Sequence, residues 1–174
     1  MSSDAAPVRD PADALRELFD FALPRVYGYL LPRCGRVGVA EDLTGETFLA
    51  AADAVRRDPA APVSVPWLIG VARHKLVDHW RRDAREERSL RAVADTGEPE
   101  DPWDVQLDAL RAQETLQKLA PHHRAALTLR YLDDLPVPRV AELLDRSVHT
   151  TEGLLVRARA AFRRAYVGEE SGDA

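Results

Sequence analysis

The residues with the most evident chemistry lie between Trp67 and Arg82, in the stretch PWLIGVARHKLVDHWRR. Arg73, His74, Lys75, Asp78, His79, Arg81 and Arg82 alternate there with apolar residues, and Trp67 and Trp80 supply two indoles. A second cationic series, Arg157, Arg159, Arg163 and Arg164, follows the tripeptide Asp145-Arg146-Ser147. The net charge of −5 speaks against a nucleic-acid partner, but its distribution does not. Residues 67–91 carry +3 and 118–167 carry +4, with −6 between them, −3 before them and −3 after them. Local rather than net charge attracts phosphate. The ordinary alternative for each series is a solvated helix face, and it stays open at this point.

Other chemistries find no support. There is no Gly-rich phosphate loop, no nucleophile elbow and no protected acid pair. Cys34 is the single cysteine, which excludes an internal disulfide and a thiolate zinc cage; an ordinary partly buried thiol is favoured over a redox-sensitive one. His122-His123 lacks a third ligand nearby, and His74 and His79 diverge on a helix. No catalytic residue, metal or cofactor is expected.

These side chains must be carried by helices. Pro66 suits a first helical position, and Trp67, Leu68, Val71, Ala72, Leu76 and Trp80 recur at helical spacing. Before it, Leu18, Phe19, Ala22, Val26, Tyr29 and Leu30 form a stripe over 12–33, with a kink or break expected at Pro24. Cys34 to Gly38 reads as a turn and 39–57 as a second helix with acidic residues in its first turn. Asp58 to Pro66 is a loop. Residues 105–119 and 121–132 read as helices, Asp133 to Pro136 as a turn. A short helix over 137–144 then leads through Asp145-Arg146-Ser147 into a long one over 148–167, with Ser147 as N-cap. Val140, Ala141, Leu144, Leu154 and Leu155 are its expected inward positions, in helix-turn-helix proportions.

The expected fold is therefore all-α: two small helical domains joined by a flexible acidic linker, the C-terminal one a helix-turn-helix. The boundaries are a disordered N-terminus at 1–11, a first domain at 12–91, a linker at 92–106, a second domain at 107–167 and an acidic tail at 168–174. Within 174 residues no apolar run reaches the roughly 18 needed to span a bilayer. The N-terminus has no apolar signal region, so a cytoplasmic location is expected.

Three motifs in register resemble the extracytoplasmic-function (ECF) group of bacterial RNA polymerase sigma factors. WLIGVARHKLVDHWRR resembles the group's promoter-melting helix, and AEDLTGETFLAA the helix before it, which docks on the polymerase. LAPHHRAALTLRYLDDLPVPRVAELLDRSVHTTEGLLVRARAAFRR resembles the domain that reads the −35 element. The likeness covers roughly 12–91 and 107–166. It implies docking on the clamp helices of the β′ subunit through Asp42, Leu43, Glu46, Thr47 and Phe48, with the core as the ordinary alternative for Leu43 and Phe48, and it names the β flap as a further polymerase partner. It implies −10 recognition and melting by Trp67, Arg73, His74, Lys75, Asp78, His79, Arg81 and Arg82, with the loop from Asp58 to Val65 as a specificity element. Capturing unstacked bases needs cations for the backbone and π-faces for the bases, and this helix has both.

The −35 element would be read by Arg146, His149, Thr150, Thr151, Glu152, Arg157 and Arg159. The chain departs from the pattern at Gly45, which replaces a side chain, at Glu152 and Leu154, where cations are common, and at Pro136, which removes a capping hydroxyl. Asp145 stands where the turn often has Gly, and tolerates a left-handed conformation better than most residues. Asp78 has a second reading, a local ion pair with Arg81 or Arg82, and for Thr150 and Thr151 a core or surface role stands as an equal alternative. Core RNA polymerase and promoter DNA are the implied partners, with an anti-sigma factor as a further candidate. With the chain ending at Ala174, regulation is expected from a separate protein or from transcription of the gene. The rival is a two-domain helix-turn-helix regulator that binds duplex without polymerase; it accounts for 137–164 but not for 67–82.

Overall fold

The computed structural model describes residues 11–90 and 109–168. Their regular structure is entirely helical: α1 Pro11–Cys34, α2 Val37–Arg57, α3 Val65–Leu90, α4 Ala109–Lys118, α5 Pro121–Leu127, α6 Val137–Leu144 and α7 Val148–Gly168. A π-helical turn, Thr128–Leu132, extends α5. The expected disordered N-terminus, linker and acidic tail fall outside the described residues, except that Pro11 opens α1 and Gly168 closes α7. Packing divides the chain into two compact units, one holding residues up to Leu31 and Arg36–Lys75, the other Pro32–Gly35 and the chain from Leu76.

In the first unit the buried residues repeat every three or four positions. They are Ala22, Val26 and Leu30 on α1, Ala40, Leu43, Thr44, Thr47 and Ala51 on α2, and Leu68 and Ala72 on α3. The two threonines enter the core because their hydroxyls donate to carbonyls one turn back, Thr44 to Ala40 at 2.6 Å and Thr47 to Leu43 at 2.7 Å. Pro24 does not break α1. It is exposed on the helix surface, where water can satisfy the carbonyl that loses its partner. Val65, not Pro66, is the first residue of α3, so the proline sits one place further in but still within the first turn, where its missing N–H costs nothing.

The second unit is built around Leu116, Leu119, Ala126, Leu127, Leu154, Leu155, Ala158, Phe162 and Tyr166. Phe162 and Tyr166, one turn apart on α7, stack with centroids 5.7 Å apart. Leu76, Val77, Trp80 and Ala84 of α3 are buried in the same unit. The end of α1 is capped here. Gln117 donates to the Pro32 carbonyl at 2.8 Å, and Arg33 pairs with the buried Asp133 at 2.7 Å. Gly35 has φ +67°, a left-handed conformation that favours glycine, and a Cβ there would displace the Gln117 side chain from its bond to the Pro32 carbonyl.

Candidate nucleic-acid interface

On α2 only part of the expected docking set faces outward. Leu43 and Thr47 are 2% and 0% exposed and form the inner side of the helix. Asp42 is exposed, Glu46 partly so, and Phe48 is half-buried with its ring edge-on to Phe19 at 4.9 Å. The outer face also holds Leu49, 68% exposed, which sequence reasoning missed. Its signal was available: Asp42, Gly45, Glu46 and Leu49 are spaced i, i+3, i+4, i+7 and share one face. Gly45 has helical backbone, and a Cβ there would meet nothing within 4 Å. Nothing steric requires it, yet it costs about 1 kcal/mol of helix stability relative to Ala.

Helix α3 starts on Ser64, whose Oγ accepts the Trp67 N–H at 3.4 Å while its carbonyl accepts that of Leu68 at 2.8 Å. Of the expected −10 residues, His74 and Arg82 are exposed, and Trp67 and Arg73 are half-buried. The others are engaged locally. Lys75 pairs with Glu46 at 3.1 Å, Asp78 with Arg81 at 3.8 Å and His79 with Asp83 at 3.3 Å. Asp78 therefore has the ion pair anticipated for it, with Arg81. Arg81 also donates to the Leu143 carbonyl in the last turn of α6, a position where a cation offsets the negative end of the helix dipole. Trp80 is 1% exposed, so its indole belongs to the core of the second unit, and its Nε1 is buried without a hydrogen-bond partner.

The helix-turn-helix is set by local turn chemistry. Pro136 caps α6 with no side-chain hydrogen bond, consistent with the missing hydroxyl. Asp145 adopts φ 54°, ψ 52°, and the Arg146 N–H reaches back to the Ala141 carbonyl at 3.0 Å, closing a Schellman-type end. Ser147 then caps α7. Its Oγ accepts the Thr150 N–H at 3.1 Å and lies 2.8 Å from the Thr150 hydroxyl. Val140, Ala141, Leu154 and Leu155 are buried as expected; Leu144 is partly buried and packs against the same core, and its neighbour Leu143 is buried as well.

This architecture exposes Arg146, His149, Thr150 and Glu152 around the N-terminus of α7. Thr151 is 0% exposed, and its hydroxyl donates to the Ser147 carbonyl at 2.9 Å. Arg157 and Arg159 are half-buried further along. Arg159 reaches the hydroxyl of Tyr131 at 3.4 Å, a residue on the π-helical turn that the sequence reading did not single out. Among the described residues no three His, Cys, Asp or Glu side chains group to hold a metal ion, and no helix is long and apolar enough to cross a membrane.

An acidic helix face, a cationic helix and a capped helix-turn-helix, carried on helices alone, are the make-up of a helical DNA-binding protein. Family models narrow the class. Residues 18–86 match sigma-70 region 2, and residues 109–162 match sigma-70 region 4. The ECF RNA polymerase sigma factor SigL of Mycobacterium tuberculosis is 30% identical over 158 residues, covering 87% of this chain and 88% of SigL. BldN, an ECF sigma factor of Streptomyces coelicolor, is 32% identical over 84% of this chain, which spans 58% of BldN. The chain belongs to the ECF sigma factors, a family of non-catalytic transcription initiation factors. A solved structure of the sigma factor RpoE in complex with the anti-sigma factor NepR from Bartonella quintana shares the fold, with TM-score 0.52 and 17% identity, covering 88% of this chain and 96% of that one.

Proposed function

We propose that this chain docks on core RNA polymerase through the outer face of α2, melts the −10 region with α3 and binds −35 duplex with the N-terminus of α7. The observation that carries this reading is the adjacency in sequence of two helices of opposite character. Asp42 and Glu46 give α2 an acidic outer face suited to a basic protein partner, whereas His74, Arg81 and Arg82 give α3 a cationic flank suited to a nucleic-acid strand. Arg146, His149, Thr150 and Glu152 then form the duplex-reading surface; Glu152 suits a cytosine amino group better than a phosphate. Leu43, Thr47 and Thr151 support these surfaces from inside rather than touching a partner. The chain performs no chemistry of its own, since phosphodiester formation belongs to the polymerase, and it works in the cytoplasm, where the polymerase is.

Run-off transcription with purified core polymerase and a genomic fragment library tests the proposal. Discrete promoter-selective products are expected. Absence of any core-dependent product, together with tight and specific gel shifts on duplex alone, would instead identify a polymerase-independent regulator.

A further inference from the structure

Beside the acidic face of α2 runs an apolar groove of about 700 Å³ between α1 and α2. Phe19, Leu23 and Tyr27 line it from α1; Gly45 and Phe48 line it from α2. Leu23 is 50% exposed, a large apolar side chain left to water. Asp20 and Glu41 stand on the two edges, both exposed. The nearby cation, Arg25, turns elsewhere, stacking on Phe21 at 3.5 Å and donating to the Phe21 carbonyl. Glu41, Gly45 and Phe48 occupy one face of α2, while Asp42, Gly45, Glu46 and Leu49 occupy the adjoining one. Gly45 belongs to both. It is the point at which the acidic face opens into the groove, and it is open because a helix interior holds a glycine that neither backbone conformation nor packing demands.

We propose that this groove is a socket, entered at Gly45, for one large apolar side chain from a basic amphipathic helix of core RNA polymerase. The reasoning rests on the docking function proposed above and adds to it the chemistry of the partner. Asp20 and Glu41 edge the groove and the exposed Asp42 adjoins it, while Glu46 is held by Lys75, so the incoming helix carries Lys or Arg on its flanks. The apolar lining takes Leu, Met or an aromatic residue from its ridge, the arrangement by which a helix is read in a hydrophobic groove. A side chain at position 45 would occupy the entrance, and the cost of glycine to the helix is offset by the contact it admits.

The test uses the full chain, with core affinity measured by fluorescence anisotropy and stability by thermal melting, for wild type, Gly45→Ala, Gly45→Leu and Asp42→Lys. Gly45→Ala is expected to raise the melting temperature by roughly 2–4 °C while weakening core binding. Gly45→Leu is expected to weaken it by about tenfold or more, the worth of one buried large apolar side chain, while remaining folded. Stability that rises while affinity falls is the signature of the socket. If Asp42→Lys weakens core binding but both Gly45 variants bind like wild type, the docking face stands and the socket is overturned. If wild type does not bind core, or Asp42→Lys binds equally well, both readings fail. Concentration-dependent dimerisation abolished by Gly45→Leu overturns the choice of occupant in favour of a second copy of this chain.

Discussion

In the proposed function helices α3 and α7 both offer cations to nucleic acid; both start on a capping serine, but they hold their charged side chains differently. Along α3, Lys75 and Arg81 are each paired with a carboxylate of the same unit and the His79 imidazole lies 3.3 Å from that of Asp83, leaving His74 and Arg82 exposed. At the N-terminus of α7, Arg146, His149 and Glu152 point outward, and the bonds formed there, Ser147 to Thr150 and Ser147 to Thr151, serve the helix cap. A surface whose charges are already matched binds only by exchanging its partners, whereas a surface with exposed charges needs no exchange. The first suits a step that follows assembly, the second a step that precedes it. Melting and duplex recognition have that order.

The largest effect expected from breaking this contrast is on α3. Arg81→Gln with Arg82→Gln should reduce open-complex formation by about 100-fold, from two charge-assisted contacts at about 1.5 kcal/mol each. Core binding should change by less than about twofold. Permanganate reactivity of the melted strand, beside core-binding titrations, measures both; an equal fall in core binding would reassign this flank to docking or folding. Arg82→Gln alone separates the DNA effect from the bond of Arg81 to Leu143.

Next comes α7. Arg146→Ala should weaken holoenzyme binding to −35 duplex by about 1–3 kcal/mol and, if the contact is to phosphate, lower the slope of log affinity against log salt by about one. A titration series across salt concentrations reads both numbers. A smaller effect is expected at the caps. Ser147→Ala should cost about 1 kcal/mol in urea unfolding, and Ser64→Ala less, since its bond to the Trp67 N–H is 3.4 Å long against 3.1 Å at Thr150. The smallest belongs to Thr151→Val, which should leave −35 affinity within about twofold, because the lost hydroxyl bonds only within the helix. A loss comparable to that of Arg146→Ala would return Thr151 to the reading surface.

Local rules made much of this molecule legible in advance. The left-handed Asp145, the Ser147 cap and the uncapped start of α6 at Pro136 follow from turn chemistry within four or five residues. What failed was helix phase. Motif likeness assigned Leu43, Thr47 and Thr151 to partner surfaces, although Ala40, Leu43, Thr44, Thr47 and Ala51 already form a buried stripe at helical spacing. Threonine conceals this, since its hydroxyl can satisfy itself on a carbonyl one turn back and leave the methyl to the core. The burial of Leu143 beside the inward Leu144 was not legible for a related reason: adjacent leucines near a helix end do not themselves say whether one or both face inward. The π-helical turn over Thr128–Leu132, and with it the position of Tyr131 beside Arg159, had no local signal, because it adds one residue to a turn that is otherwise helical.

Cys34, noted above as a solitary thiol, is buried at the end of α1. The chain is thereby a nearly silent background for maleimide chemistry. A cysteine placed at an exposed position such as Leu49 or His149 would take a dye almost alone, so pairs of labels can follow the docking face and the reading helix through initiation, in real time, without first removing a native thiol.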